Sequence, residues 1–493
     1  MTTELTRKGL SAAKWGASST LMRFILQIGA QAILARLLGP EAYGVFGAGL
    51  IIMAMTSLLT DIGFSWNLLR KTDLSELDIQ FALTAQIGFG VLLAILLYAG
   101  SDFLALHLAG EPVGWVIRLL ALSAIFNAAA STPTILLSRD LHYRQLGLSQ
   151  LISYLAGYFL TGIPMALAGY ETLSLVAAFL VQSLVRCGLA FHFSRLGWVP
   201  TFRHAGYRSF FSDGLLVFFT NMVNWLVYNL DRVTVSKLMS SQALGLYNVG
   251  ANLAGAPNAI LLGALQPVFL STGARLKSTS SLRTAYLGVM RAALLAAPAF
   301  YCALSLGAES LVHLLYGEKW SQAAAILGIL FLGMPFFVIW SVSTPILWNT
   351  GKAHEESIFQ LPIILFAAAA YYLASPIGLT TLAFAADVVL FVRAGTMFMA
   401  ASRQVSLDWR DLRSVLWISA GFIAATICSG LIASQIFMPG IARLLTFAIL
   451  TASSCIALLR FVPYRLSCDA IGTVAHVSGE AALWLQAGRH RHG

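Results

Sequence analysis

Charge is what this sequence has least of. Asp, Glu, Lys and Arg make up 11% of its 493 residues, where a soluble domain carries about 25%. No stretch is polar enough or long enough to be a soluble domain, so water is excluded as the main solvent of the fold. Cysteine is scarce as well. The five residues, Cys187, Cys302, Cys428, Cys455 and Cys468, form no CxxC pair, which argues against a disulfide framework and against a zinc site. The catalytic signatures are missing too: there is no GxxxxGK[ST] loop for ATP, no HExxH and no GxSxG, so no enzyme chemistry is expected of this chain. A short apolar run with a small-residue cleavage site is also lacking near the N-terminus, so the first run reads as an uncleaved membrane helix.

What is present is apolar surface. Hydrophobic residues make up 58% of the chain and the mean hydropathy is +0.78. A helix needs about 20 mostly apolar residues to cross a bilayer. Fourteen segments qualify: 15–37, 43–65, 81–107, 113–137, 147–168, 172–193, 211–237, 243–270, 284–308, 322–348, 357–375, 377–399, 414–434 and 440–461. The expected fold is an all-α polytopic membrane protein. Basic residues gather in alternate gaps between these segments. With the N-terminus in the cytoplasm, 21 of the 31 Lys and Arg fall on inside segments and 5 on outside ends. By the positive-inside rule both termini are cytoplasmic and the helix count is even. The net charge of +10 is thus topological and implies no nucleic-acid partner.

The chain also resembles itself. Arg36–Leu50, RLLGPEAYGVFGAGL, matches Lys237–Ala251, KLMSSQALGLYNVGA, with Leu37, Ala42, Gly44 and Gly49 recurring 201 positions later. Thr84-Ala85 and Gly88 recur as Thr284-Ala285 and Gly288, and Ser131-Thr132-Pro133 as Ser343-Thr344-Pro345. His142 returns as His354, and Val185-Arg186-x-Gly188 as Val392-Arg393-x-Gly395. The repeat is six helices long, an even number, so both copies run the same way through the membrane. That arrangement is a parallel repeat about an axis along the membrane normal. The expected division is 1–210 for the first six-helix lobe and 211–400 for the second. Residues 401–462 supply two added helices, and 463–493 form a cytoplasmic tail. Paired lobes of this kind enclose a cavity and expose it to each side in turn, which is how a transporter works.

Two segments carry a family resemblance. LARLLGPEAYGVFGAGLIIMAMTSLLTDIGF (Leu34–Phe64) resembles the first hairpin of polysaccharide-export flippases, and NLDRVTVSKLMSSQALGLYNVG (Asn229–Gly250) resembles their seventh and eighth helices. These flippases belong to the multidrug/oligosaccharidyl-lipid/polysaccharide exporter superfamily, and the chain looks most like the xanthan and colanic acid type. The resemblance implies a substrate: an oligosaccharide repeat unit on undecaprenyl pyrophosphate, carried from the cytoplasmic to the periplasmic leaflet of a bacterial inner membrane. It also implies membrane lipids as surroundings and a polysaccharide polymerase and co-polymerase as partners. No cofactor is expected, and proton or sodium coupling is left open.

Site residues follow from intramembrane charge, which is costly and usually functional. Helix 1 carries Arg23, Gln27 and Gln31 at spacing four, and helix 7 carries Asn224, Tyr228 and Arg232 at the same spacing and at the repeat offset of 201. Each set forms one helix face, the pair of stripes that a shared substrate cavity needs. The alternative is hydrogen bonding between helices within each lobe. Arg291 either meets a pyrophosphate entering from the cytoplasmic leaflet or snorkels to headgroups. For Arg186 and Arg393 snorkelling or lobe packing is expected. Asp61, Asp231 and Asp387 are coupling-ion candidates, and Asp231 can instead pair with Arg232. Pro133 and Pro345, at equivalent places, suit paired hinges or static kinks, with Ser131, Thr132, Ser343 and Thr344 re-satisfying the freed carbonyls.

The rival functions are a multidrug/toxin cation antiporter and a membrane polymerase or acyltransferase. Five intramembrane Arg against three Asp favour an anionic substrate over a cation. A polymerase would be expected to carry a large periplasmic loop bearing Arg or His, and none is present.

Overall fold

A computed structural model describes residues 2–71, 73–108, 113–202, 207–273, 279–435, 446–447, 449–451 and 453. Among the described residues the fold is all helix and turn, without strands. The chain forms two compact units, Met1–Asn248 and Val249–Gly493.

The first unit holds α1 (Thr2–Leu37), α2 (Pro40–Asp61), α3 (Phe64–Arg70), α4 (Glu76–Ala99), α5 (Ser101–Leu108), α6 (Gly114–Arg139) and α7 (Tyr143–Tyr154). A π-helical stretch, Leu155–Gly162, continues α7 into α8 (Ile163–Leu167), followed by α9 (Glu171–Ser194) and α10 (Tyr207–Leu238). The unit boundary falls inside α11 (Ser241–Gly273). The second unit continues with α12 (Thr279–Leu306), α13 (Ala308–Leu315), α14 (Ser321–Asn349), α15 (Ala353–Ala374), α16 (Leu379–Val405) and α17 (Arg413–Gln435).

Among the described residues, eleven helices are long and apolar enough to cross a membrane, and they match eleven of the fourteen predicted segments. Two of the others, 211–237 and 243–270, lie within α10 and α11. The segment 440–461 lies largely, and the tail 463–493 wholly, outside the described residues. The core is mostly apolar, as in a soluble bundle, but the outer faces are apolar too and the buried faces take in polar residues. On α4, Gln80, Thr84 and Gln86 are buried while Leu92, Ile95, Leu96 and Tyr98 are exposed. Lipid tolerates those side chains, and the helical backbone satisfies its own polar groups there.

Local chemistry explains the breaks. Pro40 starts α2, where the missing N–H costs nothing. Two left-handed residues, Ile62 and Gly63, end it and turn the chain into α3. α4 opens with a capping box: the Ser75 hydroxyl accepts from the Asp78 N–H, and the Asp78 carboxylate accepts from the Ser75 N–H. Lys71 adds an ion pair of 2.6 Å to Asp78. In the π stretch, the Thr161 hydroxyl donates to the carbonyl of Ala156 five residues back, at 3.0 Å, and Gly157 lies against the Ala178 carbonyl of α9.

The sequence repeat is visible as a symmetric contact inside the first unit. A Cβ on Gly44 would collide with the carbonyl oxygen of Ser241, and one on Gly245 with that of Pro40. Each pair is related to the other by 201 residues, so residue i meets j and j's equivalent meets i's, as across a two-fold axis. Gly47 meets Asn248, its own equivalent, in the same way. α10, the first helix of the second sequence repeat, packs on α2, α3 and α5 in this unit.

Candidate functional site

Two polar clusters stand out in the first unit. One surrounds Asp61. Its Oδ1 accepts from the Ser65 N–H at 3.1 Å, the Ser65 hydroxyl at 2.6 Å and the Gln86 amide at 3.0 Å. Gln86 also donates to Ser131 Oγ at 3.2 Å and accepts from the Thr132 hydroxyl at 2.6 Å. Asp61 thereby caps α3 and ties α2, α3, α4 and α6 together beside Pro133.

The second unit has an equivalent of this pin. Tyr286, 200 residues after Gln86, shares a 2.9 Å hydrogen bond with Ser343, next to Pro345. Both prolines stand inside continuous helices. Their neighbours do not re-satisfy the freed carbonyls, contrary to the sequence-based expectation. Ser343 and Thr344 donate to the Ile339 and Trp340 carbonyls, whereas the acceptor that Pro345 frees belongs to Ser341, four residues back. Ser131 and Thr132 turn to α4 instead.

The other cluster in the first unit lies where α1, α7, the π stretch and α9 meet. α1 is held to α7 at one end, where the Arg144 guanidinium sits 5.4 Å from the Trp15 ring and Ser19 packs on Gly147. Further along stands Arg23, exposed, with Gln27 exposed and Gln31 half-buried. Arg23 acts electrostatically on Tyr154 and on Arg186 of α9. The Tyr154 and Tyr158 rings stack 4.6 Å apart at 19°. The site therefore presents two guanidinium groups and two phenols within the membrane-spanning part of one unit. Among the described residues, neither arginine makes a hydrogen bond or ion pair, and neither phenol hydroxyl has a partner.

On α10, Asn224 and Arg232 are half-buried and Tyr228 is exposed. Asp231 accepts from the Tyr247 hydroxyl at 2.6 Å through Oδ2 and from the Arg232 N–H at 2.7 Å through Oδ1.

In the second unit, Arg291 donates to the Asp411 carbonyl at 3.2 Å and Arg283 pairs with the Asp411 carboxylate at 2.7 Å. The two fasten α12 to the turn before α17. Asp387 of α16 packs against the backbone of Gly333, with a buried Oδ1 that has no hydrogen-bond partner among the described residues.

Arg393 is buried, 1% exposed, and packs within the unit. Its guanidinium lies 3.8 Å from the Trp340 ring and donates to Gln360 Oε1 at 2.7 Å. Gln360 donates to Glu356, which also accepts from the Trp348 indole at 2.7 Å. Sequence reasoning missed Glu356 and Gln360, because a Glu near the start of a helix reads as hydrated. It missed Tyr154 and Tyr158 because tyrosine in an apolar run gives no periodic signal. Gln86 and Tyr286 were signalled by the recurring Thr-Ala just before each.

A profile of the polysaccharide biosynthesis protein family matches residues 33–325. The teichuronic acid biosynthesis protein TuaB of Bacillus subtilis (strain 168) is 24% identical over 73% of this chain and 75% of its own length. The lipopolysaccharide biosynthesis protein WzxC of Escherichia coli (strain K12) is 24% identical over 66% of this chain and 67% of its own. Among solved structures, the lipid II flippase MurJ in an inward closed conformation superposes with a TM-score of 0.73. It is 13% identical and covers 90% of this chain and 98% of its own. An inward-facing multidrug resistance MATE family transporter gives 0.62 at 15% identity, over 78% and 94%.

Proposed function

The chain belongs to the polysaccharide biosynthesis protein family, and from that premise we propose that it is a flippase for undecaprenyl-pyrophosphate-linked oligosaccharides. It takes the repeat unit at the cytoplasmic leaflet of a bacterial inner membrane and releases it at the periplasmic leaflet by alternating access, supplying exopolysaccharide synthesis. Relatives named for teichuronic acid, lipopolysaccharide and succinoglycan differ in polymer and agree in being polysaccharide proteins. A polymerase and its co-polymerase would receive the product.

The fold suits lipid flippases and drug transporters alike, so charge must separate them. The carrying observation is the pair Arg23 and Arg186, two cations in membrane-spanning helices with no carboxylate bound to either among the described residues. A site for drug cations wants the opposite sign. A pyrophosphate offsets the cost of holding two cations away from water. The stripe of α10 residues Asn224, Tyr228 and Arg232 supplies further headgroup contacts. Among the carboxylates, Asp387 is the coupling-ion candidate the geometry favours, because its Oδ1 is uncommitted, whereas Asp61 and Asp231 are occupied as acceptors.

Deleting the gene in its host tests this function. The expected result is loss of exported polymer with undecaprenyl-pyrophosphate oligosaccharide accumulating in the cells, both reversed by the plasmid-borne gene. Unchanged export together with unchanged lipid-linked intermediates would contradict it.

A further inference from the structure

An apolar crevice of about 180 Å³ opens in the second unit between α16 and α17. Every residue that lines it is apolar. Met290 and Leu294 of α12 are buried and form its floor, Gly395 and Phe398 of α16 line one side, and Leu412 and Leu416 face them from the start of α17. Its rim, at Phe391 and Leu416, is exposed. Both α16 and α17 are long and apolar enough to cross the membrane, so that rim meets lipid chains. An apolar cavity of this size excludes water and binds apolar guests.

Gly395 keeps the crevice open. It stands inside α16, where a glycine weakens a helix, and a Cβ there would meet nothing within 4 Å. Neither a turn nor a close approach of a neighbour requires it. Gly395 also lies ten residues before the end of α16 at Val405, about 15 Å of helix, whereas Leu412 adjoins the turn into α17. The crevice thus runs inward from that turn through about half of a hydrocarbon core roughly 30 Å thick, which is the depth of one leaflet.

The mouth of the crevice is cationic. Arg291, next to Met290, donates to the Asp411 carbonyl, and Arg283 pairs with the Asp411 carboxylate at 2.7 Å. The other acid of the turn, Asp408, accepts from the Arg410 N–H at 3.3 Å. Arg410 and Arg413 are exposed, and among the described residues their guanidinium groups have no carboxylate partner. Guanidinium groups suit bidentate contact with phosphate oxygens. An apolar slot one leaflet deep that ends on two uncommitted arginines matches one lipid chain beneath one phosphate. Bulk phospholipid outnumbers any biosynthetic intermediate in a membrane, so by mass action it fills a site that opens sideways to the bilayer.

We propose that this crevice binds one acyl chain of an anionic phospholipid from the cytoplasmic leaflet, with its phosphate held by Arg410 and Arg413. The leaflet follows from the charge bias of the sequence. The site does not depend on what the protein transports.

Photolabelling of the full chain in liposomes tests it. The probe is phosphatidylglycerol with a diazirine in one acyl chain, diluted into phosphatidylcholine, and labelled peptides are mapped by mass spectrometry. In the parent, label is expected on the peptides that hold residues 395–398 and 412–416. Gly395→Leu puts a side chain into the open space; it is expected to cut that label about tenfold, with a melting temperature at or above the parental value. The double variant Arg410→Gln, Arg413→Gln, at exposed positions, is expected to cut the phosphatidylglycerol label and to leave the label from a matching phosphatidylcholine probe unchanged. Label spread evenly over the lipid-facing helices, or equal label at these peptides in the parent and Gly395→Leu, would overturn the site. A phosphatidylcholine probe that labels the parent as strongly as phosphatidylglycerol would overturn the headgroup assignment. Displacement of the label by less undecaprenyl phosphate than unlabelled phosphatidylglycerol would make the occupant a polyprenyl chain and overturn the phospholipid.

Discussion

In the first repeat Val185-Arg186 is followed one residue later by Gly188, and in the second Val392-Arg393 by Gly395. The two arginines hold the same place in the duplicated unit and have opposite surroundings. Arg393 is buried, stacked on Trp340 and linked through Gln360 to Glu356. Arg186 is half-buried, lies within electrostatic reach of Arg23, and has no bonded partner among the described residues. Position in the repeat therefore does not set the role of a charge; the chemistry supplied by neighbouring helices does. The second repeat brings a carboxylate, an amide and an indole to its arginine, and the first brings it the field of a second cation. Gly44 and Gly245 show the other outcome, since there the repeats still match and meet reciprocally, backbone on backbone.

The largest expected effect on thermal stability comes from removing the committed arginine. Arg393→Met leaves Gln360 and Glu356 buried without their cation, and breaking such a network is expected to cost about 3 kcal/mol. Thermal unfolding in detergent measures it, and a loss within about 0.5 kcal/mol, the range of an ordinary surface change, would deny that Arg393 is structural. Next come the matched glycines. Gly44→Ala and Gly245→Ala each push a methyl into a facing carbonyl, an overpacking of about 1–3 kcal/mol, and the two losses should be alike because the contacts are equivalent. Unequal losses would break the claimed symmetry. The smallest effect belongs to Arg186→Met. With no internal partner to orphan and repulsion from Arg23 relieved, it should be no less stable than the parent within about 0.5 kcal/mol, and a loss comparable to that of Arg393→Met would erase the comparison.

Much of this molecule was legible in the sequence. Apolar runs and basic gaps gave the helices, and eleven spans stand where hydropathy placed them. The offset of 201 between Gly44 and Gly245 became a reciprocal contact. The candidate site was legible only in part. Spacing of four put Arg23 and Gln27 on one face, but spacing is a property of one helix, and Arg186 comes from another. Whether an intramembrane arginine is paired depends on residues brought close by folding. Glu356 lies 37 positions before Arg393 and Tyr154 lies 131 after Arg23, separations that no periodicity reports. The role of Ser343 and Thr344 was misjudged for a related reason: a hydroxyl near a proline bonds the carbonyl within its own reach, which is not the one the proline frees.

Reconstitution tests the central claim, that this chain moves a diphosphate-linked glycolipid across a bilayer, most directly. The purified chain would be placed in liposomes carrying a fluorescent glucosyl-pyrophosphoryl-polyprenol, and the label remaining out of reach of a membrane-impermeant quencher would be followed in time. The account predicts that the parent exchanges the inner-leaflet label faster than protein-free liposomes and that Arg23→Gln and Arg186→Gln, inserted at equal density, do so far more slowly. Exchange by the parent no faster than in protein-free liposomes, or equal exchange by the parent and both variants, would contradict it.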